Sequence, residues 1–134
     1  MVLVDSTVWI DLLRGRKTKV VRQLQVLLDH DEAALAPVIY QEILQGASSA
    51  EALQALRSHF VGLPCLYPAH SLDTYERAAK LYARCRWQGI TPRSPHDCLI
   101  SQTAIEHRVS LLHDDRDYQA IARVEPRLQL YPIA

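Results

Sequence analysis

The stretch Val2-Leu3-Val4-Asp5-Ser6-Thr7-Val8-Trp9-Ile10 decides how the rest of the chain is read. Three apolar residues stop at a carboxylate, two hydroxyl residues follow, and Val8, Trp9, Leu12 and Leu13 then recur at helical spacing. This predicts a short buried strand with Asp5 at its carboxyl end, turning straight into a helix. In an open parallel sheet that edge is where ligands bind, in the crevice outside the strand ends. The competing use of Asp5 is to cap the helix, because Asp and Ser are favoured there. What separates the two uses is whether other strands end in the same way.

The chain in order shows that they do. Val20, Val21, Leu24, Leu27 and Leu28 predict a helix, and Glu32 to Ala36 a short strand. Pro37 opens a helix running to Gln45, with Gly46 placed to end it. Ser48 and Ser49 precede another over Ala50–Phe60, and Cys65-Leu66-Tyr67 is a candidate strand closed by Pro68. Leu72 to Trp87 is the longest helical pattern, with Leu72, Tyr75, Ala78, Ala79, Tyr82 and Ala83 on one face. Ser94 caps the next helix, with Pro95 first in it. Val109–Leu112 and Leu128–Tyr131 are strands, separated by a short helix over Tyr118–Val124. Alternation of this kind predicts one α/β domain over residues 1–134. Its sheet is mainly parallel and roughly five-stranded, because parallel neighbours need helical crossovers.

Composition bounds what such a domain meets. At 134 residues it can bury a good core, and 49% apolar with 22% charged residues is ordinary for a globular chain. Formal net charge is zero, so a polyanion must find a local basic patch. Cys65, Cys85 and Cys98 are odd in number and lack close pairing, which points away from a disulfide framework or zinc site and towards a reducing cytoplasm. Asp5 interrupts the apolar start, so no secretory leader is expected, and no apolar run approaches the roughly 20 residues of a membrane helix.

The carboxylates fall at matching topological places. Asp5 ends the first strand, Glu42 lies one turn into the helix after the second, and Asp97 lies in the first turn after Ser94. Asp114, Asp115 and Asp117 follow the Val109–Leu112 strand. In a parallel sheet all of these lie toward one edge. Acids gathered there repel, which raises some of their pKa values or demands a cation, and hard oxygen ligands suit Mg²⁺ or Mn²⁺. Taken singly, each has a plainer use: Asp97 as a capping-box acid, Asp114, Asp115 and Asp117 as turn formers, Glu42 as a surface residue.

The runs V-D-S-T-V-W-I-D-L-L at 4–13, Q-E-I-L-Q-G at 41–46, S-P-H-D-C-L-I at 94–100 and L-L-H-D-D-R-D-Y at 111–118 resemble, in order, the four motifs of PIN-domain ribonucleases, specifically the VapC-type toxins of bacterial toxin–antitoxin pairs. The resemblance implies a PIN-domain-like three-layer sandwich and Mg²⁺- or Mn²⁺-dependent hydrolysis of phosphodiester bonds in structured cellular RNA, leaving a 5′-phosphate and a 3′-hydroxyl. It carries the metal-binding acids onto Asp5, Asp97 and Asp115, with Glu42 as a fourth catalytic acid, and Glu42 and Asp117 reach the metal through water. Ser6, Thr7 and Ser94 support them; His113 stands where the family often carries Thr or Ser and is expected to touch substrate rather than metal. A homodimer and a VapB-type antitoxin are implied as partners, the antitoxin's carboxyl-terminal arm lying over the active site; of Trp9, Leu12, Leu13, Leu44, Leu53 and Leu56, which could line a groove for it, most are expected to pack in the core. Arg14, Arg16, Lys17 and Arg93 are the local cations available to RNA.

Other acid-after-strand folds fit worse. A haloacid-dehalogenase-type phosphatase needs a second Asp two residues after the first, where Thr7 stands. A receiver domain wants an acidic pair at strand one and a Lys after the last strand, and neither is present. Gly15, Gly46, Gly62 and Gly89 are too scattered to cradle phosphate. The alternative of a different class is a catalytically silent PIN-fold module that binds RNA or antitoxin without cutting.

Overall fold

β1 (Val2–Val4) is the middle strand of the sheet, and its three side chains are all buried. In the computed structural model, which describes residues 1–132, β2 (Ala33–Ala34) and β3 (Ser110–Leu112) pair with it in parallel, in the order β2-β1-β3. Val2 stands opposite Ala33 and Ser110, Leu3 opposite Ala34 and Leu111, and Val4 opposite Leu112. Helices supply the crossovers that parallel pairing demands. α1 (Ser6–Leu13) and α2 (Lys19–Asp29) lead from β1 to β2. α3 (Pro37–Leu44), α4 (Ala50–Phe60), α5 (Leu72–Trp87) and α6 (Pro95–His107) lead from β2 to β3, and α7 (Arg116–Val124) follows. The chain thus winds to one side of β1 and returns to the other, which makes the carboxyl end of β1 a topological switch point.

Among the described residues, the roughly five strands expected reduce to three. Cys65 and Leu130 contribute one parallel bridge each, to Leu35 and Leu111. Two short backbone hydrogen bonds hold each bridge: Leu35 N–H to Pro64 O (2.8 Å) with Leu66 N–H to Leu35 O (2.7 Å), and Leu111 N–H to Gln129 O (2.9 Å) with Tyr131 N–H to Leu111 O (2.8 Å). Pro64, Pro68 and Pro132 have no N–H to continue a ladder, so the edge pairings stop there. Residues 133 and 134 of the expected domain lie outside those described.

Helix starts follow the local chemistry. Thr18 accepts from Val21 N–H (3.1 Å) to cap α2, Ser49 from Ala52 N–H (3.1 Å) to cap α4, and Ser94 from His96 N–H (3.2 Å) to cap α6. Asp97 does not close a capping box with Ser94; its N–H bonds the Ser94 carbonyl and its carboxylate points elsewhere. α6 is buried on every side from Cys98 to Ala104. Its hydroxyls survive there because Ser101 donates to Asp97 O (2.7 Å) and Thr103 to Leu99 O (2.8 Å).

The core gathers Leu3, Val4, Val8, Leu24, Ile39, Ile100, Leu111, Leu112 and Ile121, each removing about 1.5–3 kcal/mol of apolar side chain from water. Trp9 belongs to it, not to the wall of an antitoxin groove. It is 1% exposed, donates Nε1–H to Val4 O (3.0 Å) and meets Phe60 edge-on at 5.3 Å. α5 is rotated from its expected face: Thr74, Ala78, Leu81 and Cys85 are buried, while Leu72 and Tyr75 are exposed. Thr74 tolerates burial by donating to Glu106 (2.7 Å). Among the described residues no helix is long and apolar enough to cross a membrane.

Candidate active site

Asp5 takes the N-cap position of α1, yet its carboxylate makes no capping hydrogen bond to the first turn. The ladder of the sheet carries one step past β1, Asp5 N–H to Leu112 O (3.0 Å), and fixes the backbone under that carboxylate. Asp115, two residues beyond His113 at the end of the neighbouring strand, caps α7 by accepting from Asp117 N–H (2.9 Å). Capping and cleft-lining are therefore separate uses at Asp5 and a shared one at Asp115. With Ser6, Thr7, Glu42, Arg93, Ser94, Asp97 and Asp114, these two acids line a single cleft of about 450 Å³ at the switch point. A second cleft of about 550 Å³, between α3, α5 and α6, has His96 but no carboxylate in its lining.

Tyr118, which the sequence reading places only as the start of a helix, is the centre of the site. Its hydroxyl lies 2.8 Å from Asp5 Oδ1 and 3.2 Å from Asp97 Oδ1. A phenol has one hydrogen, so with both carboxylates charged only one of these contacts is a full hydrogen bond. The second is satisfied when one carboxyl holds a proton, and the electrostatics favour that. Burial, then the charges of Asp5 and Asp115, push the Asp97 carboxyl up to about 7. Burial also raises Asp5, against the stabilising Tyr118 hydroxyl and the nearby N–H groups of Thr7 and Ser6. The same burial and neighbouring anions hold the Tyr118 phenol well above its ordinary value, so it stays a donor.

Glu42 closes one wall. Ser6 donates to its Oε1 (3.2 Å) and His96 Nδ1 lies 3.7 Å from its Oε2. Burial and then Asp5 raise its carboxyl above the usual glutamate range. His113 is buried, and its Nδ1 accepts from Asp115 N–H (3.1 Å), so the proton of the neutral ring sits on Nε2. Burial lowers its basicity despite the surrounding acids, and its ring packs 5.3 Å from that of Tyr118. It props the loop, with 3% of the residue exposed.

The closest-spaced acids differ from the expected set. Oxygens of Asp97, Asp115 and Asp117 lie within 4.8 Å of one another, while Asp5 joins Asp97 through Tyr118. Such a set fits a hard divalent cation. All its donors are carboxylate oxygens, and burial and the neighbouring anions Asp5 and Asp115 penalise Asp97 in its charged form. The expected RNA-facing cations are divided. Arg14 and Lys17 are exposed beside Arg16, which pairs with Asp11 (3.2 Å). Arg93 pairs with Asp115 (2.8 Å) and Asp117 (3.0 Å), a contact invisible in the sequence because it joins residues 22 and 24 positions apart. Burial pushes Asp117 up, but the Arg93 N–H groups and charge outweigh it and hold that carboxyl low.

Acidic clefts at the switch point of a parallel sheet occur in several α/β families, and sequence similarity separates them. A model of the PIN domain matches residues 2–124, and the chain belongs to that family. Ribonuclease VapC11 of Mycobacterium tuberculosis is 33% identical over 126 residues, covering 92% of this chain and 93% of the relative. Ribonuclease VapC17 of the same species is 46% identical over 43 residues, 31% of this chain and 32% of its own length. Among solved structures, VapBC2 from Rickettsia felis bound to a promoter DNA fragment superposes with TM-score 0.75 at 17% identity, covering 98% of each chain. VapBC-1 from nontypeable Haemophilus influenzae gives TM-score 0.72 at 21% identity, covering 98% of this chain and 97% of its own.

Proposed function

We propose that this protein is a divalent-metal-dependent endoribonuclease and the toxin of a type II toxin–antitoxin pair. It acts in the cytoplasm as a single domain over residues 1–134. The observation that carries the proposal is the convergence of Asp5, Glu42, Asp97 and Asp115 in one cleft, from four separate stretches of chain. The ribonuclease names of its relatives support the reaction, and the toxin–antitoxin complexes among its structural neighbours support a VapB-type antitoxin as partner. The substrate class is structured RNA of the tRNA or rRNA kind, whose cleavage stops translation. Homodimerisation would set two clefts side by side.

When bound, Mg²⁺ or Mn²⁺ supplies a Lewis acid that neutralises charge on the scissile phosphate and makes water acidic enough to ionise near neutral pH. The chain's own residues do the rest. Asp5, Asp97 and Asp115 would hold the cation, with Asp117 beside them, and the Tyr118 hydroxyl aligns Asp5 to Asp97. Glu42, with its raised pKa and its place on the cleft wall, is the proton acceptor for attacking water. Ser6 aims Glu42, Thr7 supports Asp5, and Ser94 caps the helix that presents Asp97. Arg14, Arg16 and Lys17 offset the cleft's repulsion of RNA.

Asp5→Ala is the direct test. It is expected to abolish Mg²⁺-dependent cleavage and growth toxicity while circular dichroism stays native; unchanged cleavage would show that the site is misplaced. A silent binding module would also fail to cut with Asp5 intact. Sequencing RNA ends after induced expression identifies the target.

A further inference from the structure

Arg93 sits where a guanidinium and a divalent cation want the same oxygens. Its Nη2 donates to Asp115 Oδ1 (2.8 Å) and its Nε to Asp117 Oδ2 (3.0 Å), and these two acids share the tight triplet with Asp97. Neither acid depends on the guanidinium for its place. Asp115 is fixed by Asp117 N–H at its side chain and by His113 at its own N–H. The Arg93 backbone N–H separately donates to Asp117 Oδ2 (3.2 Å), so the loop stays anchored if the side chain leaves. The side chain lines the cleft and is 70% exposed.

We propose that Arg93 is a built-in, exchangeable counter-cation of the cleft: it neutralises Asp115 and Asp117 until a divalent ion takes their oxygens. This rests on the metal-dependent reading above. A strut would strengthen cation binding by holding the carboxylates in place, whereas a counter-cation weakens it by competing for them. Once displaced, the guanidinium keeps its charge and its planar fork at the mouth of the cleft, where a phosphate of the RNA backbone would arrive.

The two roles give opposite signs in one experiment. The full-length chain, Arg93→Gln, Arg93→Lys and Asp97→Asn are each titrated with MnCl₂ by calorimetry, without RNA. Arg93→Gln is expected to bind Mn²⁺ roughly threefold to tenfold more tightly, the range that loss of solvent-exposed ion pairs allows. Arg93→Lys, which keeps the charge and loses the fork, should fall between it and the unmodified chain. Asp97→Asn should weaken Mn²⁺ binding in either background. Equal or weaker Mn²⁺ binding by Arg93→Gln, with the Asp97→Asn loss intact, overturns the counter-cation and leaves the site standing. Mn²⁺ binding indifferent to Asp97→Asn removes the metal site itself, and this proposal with it.

Discussion

Two groups of buried acid in this chain have opposite fates. Glu125, at the end of α7, receives the fork of Arg127 (3.0 and 2.9 Å) and Arg84 (3.1 Å), and Arg84 also reaches Val124 O (3.0 Å). The hydrogen bonds of Arg127, opposed by burial and helped by Arg84, lower its carboxyl to about 2. Asp97 is partly buried, close to Asp5 and Asp115, and its carboxyl rises to about 7. The chemical group is nearly the same; the partners differ. Glu125 ties α5 to the end of α7 and favours the folded state in its charged form. Asp97 opposes folding when charged, a cost that a catalytic cleft carries so that a cation has something to gain.

Exchanging charge for neutrality should therefore split the two in opposite directions. The largest effect is on catalysis: Asp97→Asn should lower Mn²⁺-dependent RNA cleavage by about a thousandfold or more, comparable to removing other groups that act on transition-state charge. Without metal at about pH 8 the same variant should be more stable by about 1–2 kcal/mol in urea unfolding, a figure reduced for the partial exposure of Asp97. Glu125→Gln should leave cleavage within about twofold and cost about 1–2 kcal/mol, limited because Arg84 and Arg127 are themselves 42% and 67% exposed. A destabilised Asp97→Asn protein would erase the distinction.

pH separates the same two groups. The folded Asp97 carboxyl keeps a proton that the unfolded chain has already released. Its contribution is therefore full below the ordinary aspartate range and is lost as pH rises through about 7. Metal-free protein should melt lower at about pH 8 than at about pH 5.5, and Mn²⁺ should restore most of the difference. Glu125 runs the other way: its stabilisation is complete above the ordinary glutamate value and is lost as pH falls through about 2. Melting curves across that range, for the native chain and Glu125→Gln, should converge only at the acid end.

Tyr118→Phe sharpens the cleft side alone. Removing the hydroxyl withdraws stabilisation from charged Asp5 and Asp97, so both carboxyls rise further. Cleavage should fall about tenfold, most at low pH, and the acid limb of the rate profile should move upward, with a folding cost of about 1 kcal/mol. An unmoved acid limb would reduce Tyr118 to packing. The smallest effect belongs to exposed pairs with no part in either group. Breaking Arg77–Asp73 or Lys80–Glu76 on α5 should change stability by no more than about 0.5 kcal/mol.

The positions of the acids were legible because strand ends and helix starts carry strong local signals. Asp5 follows an apolar run, and Ser94-Pro95 opens α6 as cap and first residue. What joins those acids was not legible. Tyr118 shares its helix face with Ile121 and Val124, so its spacing reads as core, and its ring is indeed buried. Only the fold reveals that the hydroxyl ends between two carboxylates. Arg93 reads as one more surface cation until the loop before α6 is set beside α7. On α5 small residues leave two faces nearly equal in apolar content, and the buried one carries Thr74, whose partner Glu106 is 32 positions away. The edge strands shrank because prolines outvote apolar composition where N–H groups are needed.

Tyr118 and Asp5 stand 113 positions apart yet share one hydrogen bond at the heart of the cleft. During translation Asp5 therefore waits for this partner until more than a hundred further residues have been made. On the proposed reading, a fragment ending before Asp115 lacks both that carboxylate and the Tyr118 hydroxyl, so it should not assemble the cleft or cut RNA.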